Sequence, residues 1–204
     1  MSTLEKGLAR YLSTECLAAF SAAHVGIIGA GGLGSNVAMM LARSGVKQLT
    51  LADNDRVEAS NLNRQAYFPD DVGQLKVAAL SRHLVRLEPG IRLTTYATRV
   101  TADNAATLFA ACPIVVEAVD GADDKVLLYA IFAPVKALYV TASGLAGAGL
   151  RSEGMVVRRP RRNVVAVGDF SEAVSDTNPP LAPRVLQAAA MQAGAVVAHI
   201  VSGL

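Results

Sequence analysis

Tryptophan is absent from this chain, and cysteine occurs only at Cys16 and Cys112. Two cysteines so far apart, with no C-x-x-C spacing, exclude a disulfide framework and a structural zinc site of the cysteine-pair type. Histidine is nearly as scarce. His24 precedes a strand, His83 sits among charged neighbours in a helical stretch, and His199 lies in an apolar tail. None centres an acid–base constellation, so all three read as structural or solvated, and both cysteines as small buried residues. Charge is sparse too, with 18% Asp, Glu, Lys and Arg and a net charge of +2. That balance gives no sign of a nucleic-acid partner or an acidic tail. The one basic cluster, Arg158, Arg159, Arg161 and Arg162, reads as a solvated hairpin tip. Long uninterrupted apolar runs are also missing. No apolar core follows Met1–Lys6 as in a signal peptide, and Ala188–Leu204 is broken by Gln192 and His199 and falls short of a bilayer span. The expected compartment is the cytoplasm, with no membrane partner.

What is present in quantity is aliphatic: 52% of the 204 residues are hydrophobic. This suits one compact α/β domain over residues 1–204. Its most informative stretch is Val25–Ser35, V-G-I-I-G-A-G-G-L-G-S. A short β-branched run predicts a buried strand. Gly29, Gly31, Gly32 and Gly34 follow, and then an apolar helical pattern from Asn36. Strand, glycine turn and helix together make a phosphate site: glycines let the backbone approach an anion, and the helix start supplies free N–H groups.

The remaining periodicities predict a helix over Thr3–Phe20 and strands at Gln48–Ala52, Ile91–Ala97, Ile114–Ala118 and Ala137–Ala142. Intervening helices fall at Gln74–Leu87, Asp103–Ala111 and Asp123–Pro134. Strands Gly154–Arg159 and Asn163–Val167 flank Pro160-Arg161-Arg162 as a hairpin, and Arg184–Ser202 forms a last helix. The alternation gives a Rossmann-like, mainly parallel sheet with helices on both faces, ending in a hairpin plus helix. Right-handed crossovers bring the glycine turn, Asp53 and Asp120 to one carboxyl edge.

Asp53 stands about twenty residues beyond the glycines, where an acidic residue commonly meets a ribose hydroxyl. The polar segment Asn54–Asp71 is too long for a routine βα loop. It carries Asp55, Asn61, Arg64 and Gln65, and Lys76 follows it. Asn61 and Arg64 are three residues apart, so one helical turn aims both the same way. Arg64 and Lys76 supply cations for a phosphate site, and Asp120 suits a magnesium ion shared with phosphate oxygens. Such a set points to transfer at phosphorus, where charge stabilisation dominates catalysis. Each member also has a plainer role: Arg64 and Lys76 as surface charges, Asn61 holding its loop, Asp120 capping the next helix. An NAD-dependent oxidoreductase would use the glycines and Asp53 and leave the rest without a task.

G-A-G-G-L-G-S, D-N-D-R-V-E-A-S-N-L-N-R-Q, G-Q-L-K and V-V-E-A-V-D together resemble the adenylation core shared by ubiquitin-activating E1 enzymes, MoeB and ThiF. T-A-S-G-L-A-G-A-G, V-G-D-F and L-A-P-R-V extend the likeness toward the short ThiF-type adenylyltransferases. The resemblance implies that Gly29, Gly31, Gly32 and Gly34 cradle the phosphates of ATP and Asp53 binds its ribose. It implies that Asn61, Arg64 and Lys76 hold the triphosphate, Gln65 supports the loop and Asp120 binds Mg2+. The implied reaction adenylylates the C-terminal glycine carboxylate of a ubiquitin-like sulfur carrier, ThiS of thiamine synthesis, with a MoeB-type molybdopterin carrier as the alternative. It also implies a homodimer, in which Arg10 would be the arginine lent to a partner's site. A non-catalytic E1-like binding module is the remaining possibility. The chain departs from the family in lacking zinc-binding cysteine pairs and any cysteine beyond Cys112, and in placing Gly121 where an Asn follows the magnesium Asp. The loop Gly168–Pro183 is the expected channel for the carrier's Gly-Gly tail.

Overall fold

The computed structural model describes residues 1–143, 154–170 and 179–203. The glycine-rich segment 144–150 and the middle of the loop expected to form the carrier channel, 171–178, lie outside the described residues. Seven strands form one sheet in the order β3-β2-β1-β4-β5-β7-β6. They are β1 (His24–Ile28), β2 (Gln48–Ala52), β3 (Arg92–Tyr96), β4 (Ile114–Glu117), β5 (Leu138–Ser143), β6 (Val156–Arg161) and β7 (Val164–Gly168). Every pairing is parallel except β6 with β7. The expected architecture is therefore observed.

Successive strand residues alternate between two apolar cores. Ile27, Val116, Val140 and Val165 point into one, which is completed by α3 (Gly32–Arg43), α4 (Lys76–Leu87) and α7 (Ala182–Ser202). Ile28, Val115, Tyr139 and Val164 point into the other, under α5 (Ala105–Leu108) and α6 (Ala122–Phe132). A strand buried on both faces reads as a continuous apolar run, which is why these strands are visible in the sequence.

Several expectations are corrected. The N-terminal helix is two: α1 (Thr3–Leu8) and α2 (Thr14–Ala22), each started by a serine, Ser2 and Ser13, whose hydroxyl accepts an N–H of the first turn. Cys16 is partly exposed; Cys112 is buried. The hairpin turns at Arg162-Asn163, and Pro160 lies within β6. An outer strand tolerates proline because one side of its backbone has no ladder to complete. The four arginines therefore line an exposed sheet edge as well as its tip. With Pro160 and a register shift between Arg158 and Arg161, they discourage another strand from adding there. α7 has 21 residues, long and apolar enough by composition alone to cross a bilayer, but Val185, Ala188, Ala189, Ala193 and Val196 are buried in the core.

Buried charge is concentrated where connections must be fixed. On β4, the fully buried carboxylate of Glu117 accepts from Lys125 at 2.8 Å, from the Val119 N–H at 2.9 Å and from the Thr141 hydroxyl. Asp71, also buried, accepts from the Phe68 N–H at 2.8 Å, from Arg82 at 2.7 Å and from His83 at 2.7 Å. Burial alone would raise the Asp71 carboxyl; the Phe68 N–H, His83 and Arg82 outweigh it and hold the group below the usual carboxylate range. Its folded pKa is thus lower than its unfolded one, near about 3.9. The stabilisation is complete above that value and is lost as pH falls through the folded pKa. We expect unfolding free energy to drop below about pH 4 in the wild type, and this component to vanish in Asp71→Asn, as followed by urea titrations across pH.

Candidate functional site

The carboxyl ends of β1, β2, β3 and β4 surround a cavity of about 290 Å3. Position follows from strand order: β1 lies between β2 and β4, where the chain's direction of travel across the sheet reverses and a crevice opens. Gly29, Gly31, Asp53, Asp55, Lys76 and Asp120 all line it. The convergence expected from the crossovers is thus realised for the glycine turn and the two strand-end aspartates.

The glycine turn is shaped by contact as much as by ligand access. Gly29 has φ +94°, a left-handed conformation that any side chain would strain, and a Cβ there would lie 2.6 Å from the Ala118 carbonyl oxygen. Gly34 lets α3 rise directly beside the turn, since a Cβ would fall 1.8 Å from the Gly29 carbonyl oxygen. Gly32 faces Val185 of α7, and neither Gly32 nor Gly34 is on the cavity wall. Gly31 is the N-cap of α3 and offers no side-chain cap, which leaves the first backbone N–H groups of the helix open to an anion.

Asp53 is held before any ligand arrives. Its carboxylate accepts from the Ala30 N–H at 2.7 Å and from the Asp55 N–H at 2.7 Å. The Lys76 ammonium, its side chain only 9% exposed, pairs with Asp55 at 2.7 Å. Asp120 is exposed, and among the described residues its carboxylate has no partner. It does not cap α6: Gly121 occupies the N-cap and no side chain bonds that helix start.

The loop between β2 and α4 is folded against the turn, but Asn61, Arg64 and Gln65 are not on the cavity wall. Residues 59–61 form a 3-10 turn, and the spacing of Asn61 and Arg64 does not aim both inward. Asn61 Oδ1 accepts from the Glu58 N–H at 3.1 Å, so its amide serves the loop. The Arg64 guanidinium donates to the Ser60 carbonyl at 3.2 Å and to Asn63 at 2.9 Å, while its stem lies over Gly32. Gln65 is buried beside Gly31, and its Oε1 has no hydrogen-bond partner among the described residues. Tyr67 ties the loop down: its buried hydroxyl donates to the Ala30 carbonyl at 2.7 Å.

Thr98, Arg99 and Asp124 are cavity residues that the sequence left unassigned. The rule that points to Asp53 and Asp120, the residues just beyond a strand's carboxyl end, also points to Thr98 and Arg99 after β3. Asp124 is one helical turn beyond Asp120. At the opposite edge of the sheet, His24 lies 2.8 Å from the Thr50 hydroxyl and 3.4 Å from Cys112 Sγ. Burial lowers the His24 pKa and raises that of Cys112, so both rest neutral and structural.

Among the described residues no three His, Cys, Asp or Glu side chains are grouped to hold a metal ion. The donor set suits a hard cation only with help: one free carboxylate, Asp120, must be supplemented by oxygens brought by a ligand.

Known proteins share this sequence and architecture. The E. coli tRNA threonylcarbamoyladenosine dehydratase is 34% identical over 143 residues, 69% of this chain and 53% of that protein. The Thermus thermophilus sulfur carrier protein adenylyltransferase is 37% identical over 107 residues, 52% of this chain and 40% of that one. The match thus spans between 20% and 53% of the length of the curated relatives. The crystal structure of the E. coli dehydratase TcdA in complex with AMP superposes with a TM-score of 0.85 at 23% identity, covering 97% of this chain and 94% of that one. The ThiF family matches residues 6–204, nearly the whole chain, and this protein belongs to the ThiF family.

Proposed function

We propose that this chain is an ATP-dependent adenylyltransferase that activates the C-terminal glycine carboxylate of a ubiquitin-like sulfur carrier, with ThiS as the carrier. The observation that carries the reading is that the glycine turn, Asp53, Lys76 and Asp120 meet on the wall of one cavity. Hydride transfer from a nicotinamide would leave Lys76 and Asp120 without a task, and a non-catalytic module would have no need of them.

In this scheme the ATP phosphates lie against the start of α3 and the ribose beside Asp53. Lys76 stabilises negative charge on the phosphates. Arg64 exchanges Ser60 and Asn63 for phosphate oxygens, swinging from its rest position over Gly32. The carrier's terminal carboxylate, with a pKa of about 3.5, is ionised at neutral pH and needs no general base. One of its oxygens bonds to the α-phosphorus, the bond from that phosphorus to the bridging oxygen breaks, and pyrophosphate leaves with the electron pair. An acyl-adenylate remains. Asp120 would hold Mg2+ with the phosphates, and the ion supplies neutralisation of the polyphosphate charge. A second copy of the chain, lending Arg10, belongs to the same reading.

A second substrate is favoured by the extent of likeness to the E. coli dehydratase. A threonylcarbamoyl group carries a free carboxylate, and losing water from it by internal attack also begins with carboxylate activation. The measurement is exchange of labelled pyrophosphate into ATP, run separately with Gly-Gly carriers and with threonylcarbamoylated tRNA. Carrier-dependent exchange is expected. Exchange with the tRNA alone would select the second substrate, and none with either, while ATP binds, would reject adenylylation. Lys76→Met tests the site itself: ATP Kd is expected to rise by about tenfold to a hundredfold, as for loss of one charged hydrogen bond. Asp55 is 59% exposed, so the broken pair should cost less than about 1 kcal/mol of stability.

A further inference from the structure

Resting on the nucleotide reading of the cavity, we propose that Asp124 is a base-reading residue, which accepts a hydrogen bond from the exocyclic amino group of adenine, and that Arg99 holds it in place. The turn and the open start of α3 fix where phosphates go, and Asp53 fixes the ribose. The base must then continue outward, past the end of β2 toward the end of β3. The cavity has an apolar floor, formed by the buried side chains of Ile28, Ala52 and Leu128. A flat heteroaromatic ring fits such a floor. Its polar edge needs partners at the rim, and the rim carries Arg99 and Asp124.

These two side chains hold each other. Arg99 Nη2 donates to both Asp124 oxygens at 3.1 Å. Asp124 is partly sheltered, its side chain 31% exposed, whereas Arg99 is 68% exposed. A carboxylate has about four lone-pair sites, so the one guanidinium nitrogen leaves acceptor capacity unused. An acceptor of fixed position beside an apolar slot recognises a ring that presents an N–H2 group.

Gly121 gives the arrangement its room. A Cβ at that position would lie 3.2 Å from Asp124 Oδ2, tight enough that the carboxylate would have to give way. The glycine that departs from the family's usual asparagine thus coincides with an aspartate leaning across it toward Arg99.

The test is the ratio of Kd values for ATP and for purine riboside triphosphate, which has no amino group at the 6-position, measured calorimetrically on the full chain. The wild type is expected to prefer ATP by about tenfold or more, the scale of a hydrogen bond to a charged group. In Asp124→Ala the ratio is expected to fall to within about twofold of one, while Arg99→Lys keeps a preference of intermediate size. Equal binding of the two nucleotides by the wild type overturns the proposal without any reference to a variant's folding. So does an undiminished preference in Asp124→Ala. Failure of the chain to bind either nucleotide would instead reject the ATP reading of the cavity, a separable outcome.

Discussion

Asp120→Ala is expected to lower substrate-dependent ATP–pyrophosphate exchange by about 10²–10³-fold, the range seen when one preorganised electrostatic group is removed. The thermal midpoint should stay within about 2 °C of wild type. The two halves of this expectation have one cause. Asp120 is exposed, caps no helix and has no partner among the described residues, so the fold makes no use of its carboxylate. It nevertheless sits on the wall where the glycine turn and Lys76 also lie. Asp120→Asn should be impaired as well, since the amide preserves shape but not charge. If both variants exchange at the wild-type rate, the assigned role is wrong. A large fall in melting temperature would mean that the carboxylate is structural after all.

Gly34→Ala should have the opposite profile, with the fold itself damaged. The added methyl would sit 1.8 Å from the Gly29 carbonyl oxygen and 3.2 Å from Ile27 Cγ2. No rotamer relieves a Cβ clash with backbone. α3 must move away from β1, or the turn must open. Overpacking typically costs about 1–3 kcal/mol, and a clash with backbone belongs at the upper end, which for a chain of this size lowers the melting temperature by roughly 6–12 °C. ATP binding should fail with it, because the first turn of α3 is displaced. Gly194→Ala, at an exposed position of α7 where no atom of the described residues crowds the new methyl within 4 Å, is the matched control. It should gain about 0.5–1 kcal/mol from helix propensity. Calorimetric melting of the pair separates crowding at the turn from any general intolerance of alanine.

The parts of this molecule that were legible in its sequence are those governed by local period or by strand order. β1, β2, β4 and β5 are aliphatic because both faces are covered, and the crossovers then force Gly29, Asp53 and Asp120 together. Legibility ended where long-range partners decide. Glu117 sits in a run that reads as an ordinary buried strand, and nothing nearby announces that Lys125 and Thr141 will neutralise and bond it. Helical spacing continues across the break between α1 and α2, so only Ser13 as a cap marks it. Asn61 and Arg64 look like a pair aimed at phosphate, yet a 3-10 turn gives each a partner within its own loop. Arg99 and Asp124 were hidden for another reason. Each is unremarkable alone, and they meet only because β3 ends and α6 begins on the same side of the sheet.

The loop after β2 has a thermodynamic consequence that its length conceals. Asp53 bonds the Ala30 N–H, Tyr67 bonds the Ala30 carbonyl, the Ser35 hydroxyl accepts from the Ala66 N–H, and Asn36 donates to the Arg64 carbonyl. These links fasten the loop to the turn from both sides, and Asp71 anchors its far end. Fixing a residue's backbone costs roughly 1–2 kcal/mol of conformational entropy, and for this segment that loss is taken during folding rather than on association. Among the described residues, a ligand meeting the cavity encounters a finished wall, with the swing of Arg64 left to order. Affinity is then limited by the contacts themselves and little by the freezing of chain.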